Sequence, residues 1–457
     1  MSIQASGLRQ NKNWQRLWLG QSVSLLGDMV FLITVLLWIA TVIAKGPDGV
    51  IASWAPAAVS GALIAVAVPA LIVGPFAGVW VDRWNRRRTM LAADAARFLL
   101  IAGLLVLPLL RHRIPVGGQL AILYAVLAAA SCFAEFFDPS RLAVIGTIVP
   151  PDDQARASGH LQAMAAFAQV LGPPIAAPLL ITFGVQWALI LNAASFGISF
   201  LCVRAIRIPP APPQPGAERA SYGAELREGL KYFAASKILV SMAISIMITM
   251  LGVGAINAVG VFFIVHNLHV SASWLGTVSG VVGAGAVAGA LATGALASRI
   301  QLGKLLWAGL IAGGLGLVGL SRCTALPPAL VAGLELGLSV GVINAVDGPI
   351  LLRTTPLHLM GRVSAVFSPL QQIAALTSMT LAGVLSSTVL LRFHAVIAGV
   401  TFGPYDTIFG IAGLMFVVAG LAIIRPMRAL PAAAVPGSAG ISEATAPGDA
   451  PEAAPAS

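Results

Sequence analysis

Charge is scarce in this sequence: 10% of its 457 residues are Asp, Glu, Lys or Arg. Cysteine is scarcer still. Cys132, Cys202 and Cys323 have no metal-ligand spacing and cannot all pair with one another, so they read as small packing residues and exclude a disulfide scaffold. The six histidines, His112, His160, His266, His269, His358 and His394, fall at helix ends or in loops without zinc-type spacing. No nucleotide-binding glycine-rich loop and no nucleophile elbow appears. The sequence therefore gives no catalytic residues, no metal site, no cofactor and no machinery for ATP-driven work.

What fills the chain is apolar. Hydrophobic residues make up 58%, there are 48 glycines, and the mean hydropathy is +0.90. Such a chain is as apolar outside as inside, which identifies an integral membrane protein. A spanning helix needs about 20 mostly apolar residues, and charged or Pro/Gly-rich breaks mark the ends. Twelve spans follow, near 17–43, 56–80, 90–110, 119–137, 157–183, 187–206, 238–265, 274–297, 305–320, 328–351, 363–391 and 405–424. The first run is too long for a signal-peptide core and is followed by further spans, so it reads as a retained helix.

Cytoplasmic loops carry the excess of Lys and Arg. With the N-terminus inside, 21 of the 27 cations fall on the inner side. Lys45, Arg111, Arg113, Arg322 and Arg392 fall outside, and Arg97 lies within the third span. Both termini are expected in the cytoplasm. The net charge of +10 is accounted for by this asymmetry together with anionic lipid, and nucleic-acid binding is not expected. The high Ala, Gly and Pro content suits a GC-rich bacterial source, which places the chain in a bacterial cytoplasmic (inner) membrane.

One long polar interruption divides the chain. Residues 1–206 form an N-terminal six-helix bundle and 237–428 a C-terminal one. Between them, 207–236 read as a cytoplasmic proline-rich linker followed, from Ser221, by a surface helix. Residues 429–457, nearly all Ala, Pro, Gly, Ser and acid, read as a disordered cytoplasmic tail. The halves repeat. Gly78, Arg83 and Arg88 match Gly294, Arg299 and Lys304 at a constant offset, and Pro150, Arg156 and Ser158 match Pro356, Arg362 and Ser364. Duplicated six-helix halves imply a pseudo-two-fold axis along the membrane normal and a site at their interface near mid-membrane.

The stretch GVWVDRWNRRRTM, 78–90, resembles the loop signature of the major facilitator superfamily, Gly-x-x-x-Asp-Arg/Lys-x-Gly-Arg-Arg/Lys. Gly78, Asp82, Arg83, Arg86 and Arg87 meet it. Asn85 stands where the second Gly is expected, and Asn enters the left-handed region more readily than most residues. Residues 13–28, 92–97, 134–150 and 354–366 resemble the drug:proton antiporter branch with the macrolide efflux proteins and the enterobactin exporter. The resemblance implies an all-α fold of two six-helix bundles that alternates access, exporting small amphipathic organic molecules on a proton gradient, as a monomer.

It also implies roles. Asp82 would lie against the start of helix eleven, near Arg362, when the inner side is closed, where an acid gains roughly 0.3 to 1 kcal/mol from the helix terminus. Arg83, Arg86 and Arg87 would link helices two, three and four. In the second copy Ser298 replaces the acid, so such a latch is one-sided. Helices one, four, seven and ten line the cavity in that fold. Asp28, Glu135, Asn257 and Glu335 would then lie on its four walls, and a carboxyl group there could take a proton on one side and release it on the other. Asp28 or Glu135 could instead fix helix packing.

Asp94 and Arg97 have the spacing of a local ion pair. With Asp138 and Arg141, and with Asp347 and Arg353, they read as a cytoplasmic charge network. Gly172 and Pro173 match the helix-five motif of exporters, although Ala168, Ala176 and Ala177 replace glycines expected there. Alternatives in the same fold are siderophore or lysophospholipid transport, and in another class a membrane enzyme or signalling protein.

Overall fold

The computed structural model describes residues 8, 10–46, 48–81, 84–207, 230–297, 299–355, 360–390, 393, 395–397 and 400–428. Asp82, Arg83, Ser298, most of the linker (208–229) and the tail (429–457) lie outside them.

Twelve helical spans cross the described residues. In the first half these are α1 (Lys12–Trp38, continued by a wider turn over Ile39–Ile43), α2 (Ala55–Ile72 and Gly74–Val81), α3 (Arg86–Leu104 and Val106–Leu110), α4 (Val116–Ile148), α5 (Pro151–Pro178, continued over Leu179–Phe183) and α6 (Val185–Ala205). In the second half they are α7 (Lys237–His266), α8 (Trp274–Leu296), α9 (Leu302–Ser321), α10 (Leu326–Thr354), α11 (Met360–Ser387) and α12 (Pro404–Arg428). Eleven are long and apolar enough to cross a membrane, and α11, 28 residues long, lies between α2 and α7. A short hairpin, β1 (Ala395–Ile397) with β2 (Val400–Phe402), joins α11 to α12.

The largest departure from the sequence reading is α4. It passes through the charged stretch at Asp138 and holds Pro139 inside the helix, so it ends at Ile148 rather than near 137. Of the surface helix expected from Ser221, residues 230–235 are helical. They dock through Tyr232, whose hydroxyl donates to Thr354 O at 3.0 Å, and through Phe233 edge-on to Phe367.

The packing pattern repeats. α1 packs on α5 and α6, α3 on α4 and α6, and α2 on α4; likewise α7 packs on α11 and α12, α9 on α10 and α12, and α8 on α10. An even number of spans puts Lys12 and Arg428 on one face with Arg86, Arg87 and Arg88. This is the basic face, and the opposite one is the hairpin face.

At the hairpin face the two bundles share one apolar core, in which Val59 and Ala177 of the first half join Phe263 and Ala382 of the second. Toward the basic face the core divides into one cluster per bundle, around Phe137 and Val203 and around Val363 and Ile423. Among the described residues, the close approaches between bundles lie in the hairpin-face half. Ala57 N donates to Ser387 Oγ at 3.1 Å, Gly383 sits on Ser60, and Gly276, Gly280 and Gly283 of α8 sit on Pro173, Pro174 and Val170 of α5. Below this seam α2 and α11 part around a cleft of about 410 Å³ lined by Ile64, Val68, Leu376, Thr377, Thr380 and Leu381. Among the described residues the two bundles meet at the hairpin face and divide toward the basic face.

Candidate functional site

Polar side chains that a bilayer would reject are gathered inside the first bundle. Arg97 Nη2 meets Asp94 Oδ1 at 2.7 Å. Ser199 of α6 donates to Asp94 Oδ2 at 2.7 Å and accepts from Gln21 Nε2 of α1 at 3.2 Å. Gln21 Oε1 accepts from Arg141 of α4 at 3.0 Å, and Arg141 pairs with Asp138 at 3.1 Å. One continuous chain of bonds thus ties α3, α6, α1 and α4. The Arg97 guanidinium lies between the rings of Phe137 and Phe196, at 4.8 and 4.4 Å, where cation–π attraction adds to the ion pair. The sequence-derived pairs Asp94–Arg97 and Asp138–Arg141 both form, and Gln21 and Ser199 join them into one network.

Asp28 stands beside this network at mid-depth of α1. Gly27 lets α1 approach α6 closely: a Cβ there would fall 2.6 Å from Ser195 Oγ and 3.0 Å from Asn192 Oδ1. The half-buried Asp28 carboxyl therefore faces the side chain of Asn192, with Arg97 the strongest of the charges acting on it. Asn192 is 1% exposed, and its Nδ2 is left without a well-formed hydrogen bond.

The other expected cavity residues go separate ways. Asn257 is exposed, on the face of α7 opposite the buried row Ala255, Val259 and Phe262. Glu135 turns toward α2, where its carboxyl meets Gly74 just after the break at Val73. Glu335 turns toward α9. Its carboxyl lies over Gly316 of α9, Ser339 donates to Oε1 at 3.0 Å, and Oε2 is buried without a partner. A glycine notch on the neighbouring helix makes room for it, so it faces within the second bundle rather than the fourth wall of a central cavity. Asp347 forms no pair with Arg353; its Oδ1 is buried without a partner while Arg353 is exposed.

The basic loop also differs from expectation. Asn85 is not left-handed: at φ −72° and ψ 103° it is extended and caps α3, its Oδ1 accepting from Arg88 N at 3.1 Å. A side-chain acceptor at that position satisfies a free helix N–H, a job glycine cannot do. Arg87 reaches α6 rather than α4, donating to Val203 O at 3.4 Å and to Arg204 O. Arg16 of α1 donates to Ala205 O at 2.6 Å, so cations from two helices cap the C-terminus of α6. Arg86 is half-buried in the first turn of α3. Gly78 lies in the second piece of α2 and Arg362 near the start of α11, the latter's side chain outside the described set. Gly172 and Pro173 are where α5 touches both α1, at Met29, and α8, at Gly276.

The three thiols are free and partly buried; burial pushes that of Cys323, between α9 and α10, up from its ordinary value, which fits a packing role. At the hairpin face Arg322 pairs with Asp406 at 2.5 Å and lies 4.5 Å from the Phe402 ring. Neither contact has a sequence signal, because Arg322 is about 80 positions from both partners.

Two repeated six-helix bundles, joined at one face and dividing toward the other, with carboxyl groups held inside them, define a multi-pass membrane transporter. The sequence model of the Major Facilitator Superfamily matches residues 17–379, and the chain belongs to that superfamily. Its relatives include the multidrug efflux pump Tap of Mycobacterium tuberculosis, 26% identical over 70% of this chain and 77% of that pump. Macrolide efflux protein A of Streptococcus pyogenes is 23% identical over 51% of this chain and 55% of that protein. Among solved structures, a bacterial homologue of the iron transporter ferroportin in its inward-facing state superposes with a TM-score of 0.69 at 14% identity, covering 93% of this chain and all of that one, which is a likeness of fold.

Proposed function

We propose that the protein is a proton-driven exporter of amphipathic organic molecules, drugs or secondary metabolites, cationic or neutral. It works by alternating access in a bacterial cytoplasmic membrane, as a monomer, with both termini and the basic face in the cytoplasm. The relatives named above lend support to the cargo class, and the cation asymmetry of the loops to the orientation. The observation that carries the reading is Asp28: a half-buried carboxyl at mid-depth of α1, beside a buried ion pair, in a bundle that opens to the basic face. Proton uptake from one side and release to the other needs such a group, and no covalent step or cofactor. A proton gradient supplies the energy.

An anionic cargo, such as a siderophore or lysophospholipid, is less well served. Arg97, the cation within the third span, is held by Asp94 and two aromatic rings rather than offered to a ligand.

The test is flux into proteoliposomes with an acidic lumen, following a permanently charged fluorescent cation. Gradient-driven uptake is expected for the wild type and for Glu335→Gln, and its loss for Asp28→Asn. Uptake that ignores the gradient and the Asp28 substitution would reject proton coupling through this residue.

A further inference from the structure

Inside the first bundle Asp94 is paired with the Arg97 guanidinium, which also acts through space on the Asp28 carboxyl. Asp94 uses both oxygens: Oδ1 takes Arg97 Nη2, and Oδ2 takes the hydroxyl of Ser199. Both oxygens thus act as acceptors, one of them from a guanidinium, which fits Asp94 as the ionised partner. Asp138 is matched by Arg141. That leaves Asp28 as the one carboxyl of the cluster without a cation of its own, and an unpaired charge inside a bundle is costly. Charge balance in this conformation assigns the proton to Asp28.

Arg97 is also incompletely used. Its Nε is buried with no partner, while the rings of Phe137 and Phe196 lie 4.8 and 4.4 Å from its Cζ. We propose that Arg97 is a counter-ion shared between the two carboxyls: paired with Asp94 while Asp28 holds a proton, it turns to Asp28 when that proton leaves. The bond that breaks is the Asp28 O–H, the proton passes to water in the opening, and the guanidinium replaces it as the neutralising charge. Arg97 is thus a positioning residue that acts through Asp28.

The groups facing Asp28 are few. α3 contributes Arg97 and Asp94, α4 contributes Asp138, and α6 contributes the neutral Asn192. On α5 the charged residues Asp153, Arg156 and His160 lie toward the basic face, where His160 stacks on Trp14 and Asp153 pairs with Arg156. Arg16, on α1 itself, is engaged with Ala205 at that same face.

This inference rests on Asp28 as the proton-exchanging acid, so the experiment separates the two. The full chain in lipid is titrated with pH while the carboxylic C=O band is followed by infrared difference spectroscopy, in the wild type, Asp28→Asn and Asp94→Asn. A band present in the wild type and absent from Asp28→Asn is expected. In Asp94→Asn, where Arg97 has only Asp28 to serve, the midpoint of that band should fall by about one to three pH units, the effect of an arginine beside a carboxylate. Asp94→Ser, smaller and still able to bond Ser199, gives the same reading should the amide variant not fold. An unchanged midpoint in either Asp94 variant would overturn the sharing and leave Asp28 as the acid. Absence of any Asp28-dependent band would overturn both.

Discussion

Asp94 and Arg97, one turn apart on α3, meet at 2.7 Å with their side chains 0% and 7% exposed. Removing one partner of such a pair leaves the other charged and buried, a loss of about 3–5 kcal/mol. Arg97→Ala also strips the cation from between Phe137 and Phe196. Thermal unfolding in detergent should show a large fall in midpoint for Arg97→Ala. The fall should be smaller for Asp94→Asn, which leaves Arg97 between its rings and keeps one amide oxygen to accept from Ser199. Equal, small shifts in both would mean that the pair is solvated.

The cap of α3 gives a sharper comparison. Asn85 accepts from Arg88 N, and replacing an N-cap Asn by Ala costs about 0.5–2 kcal/mol, whereas Gly costs a few tenths. Asn85→Ala should therefore lower stability measurably while Asn85→Gly stays near the wild type. If Asn85→Ala unfolds with the wild type, the side-chain cap contributes nothing.

Helix number and approximate ends were legible in the sequence because the thickness of the bilayer fixes the length of an apolar run, and loop cations mark its breaks. The local pairs Asp94–Arg97 and Asp138–Arg141 were legible because both members lie on one turn of one helix. What joins those pairs was hidden: Gln21 and Ser199 are 178 positions apart, and neither residue type signals a partner. Glu335 shows the same limit from the other side. Its depth in α10 followed from counting, but the direction of its carboxyl depends on a gap at Gly316 in another helix. Asn85 was misread because its capping role depends on where α3 begins, and helix starts are the least certain feature of a sequence pattern.

Without a hydrophobic drive between helices in lipid, close backbone approach has to hold the second bundle together. α8 and α10 do this through Gly285 and Gly289 on one helix and Gly337 and Gly341 on the other. A Cβ at Gly285 would fall 2.5 Å from Leu334 O, an atom of the backbone that cannot swing aside. Gly285→Val should cost about 1–3 kcal/mol as overpacking. Gly294→Ala, on the same helix with nothing within 4 Å of the added carbon, should be neutral or slightly stabilising. Thermal midpoints of the two variants check the contrast, and equal losses would show that helix propensity rather than contact decides.

The seam at the hairpin face should set which way the molecule opens. A Cβ at Gly276 would fall 2.6 Å from Pro173 O and 3.0 Å from Pro174 Cα, and one at Gly280 would fall 2.9 Å from Pro174 Cγ. These contacts exist only while α5 and α8 are together, so a larger residue penalises the present conformation and spares one parted at this face. A penalty of about 1.4 kcal/mol changes the ratio of two conformations tenfold. Gly276→Val should therefore close the basic face in much of the population, read as a shorter distance between spin labels at Arg88 and Arg353, both exposed there, in a cysteine-free background. Gly294→Val, on the same helix but away from the seam and facing open space, should leave the distance as it is. Two variants with the wild-type distance and unchanged stability would mean that the α5–α8 contact tolerates the added carbon and does not hold the hairpin face shut.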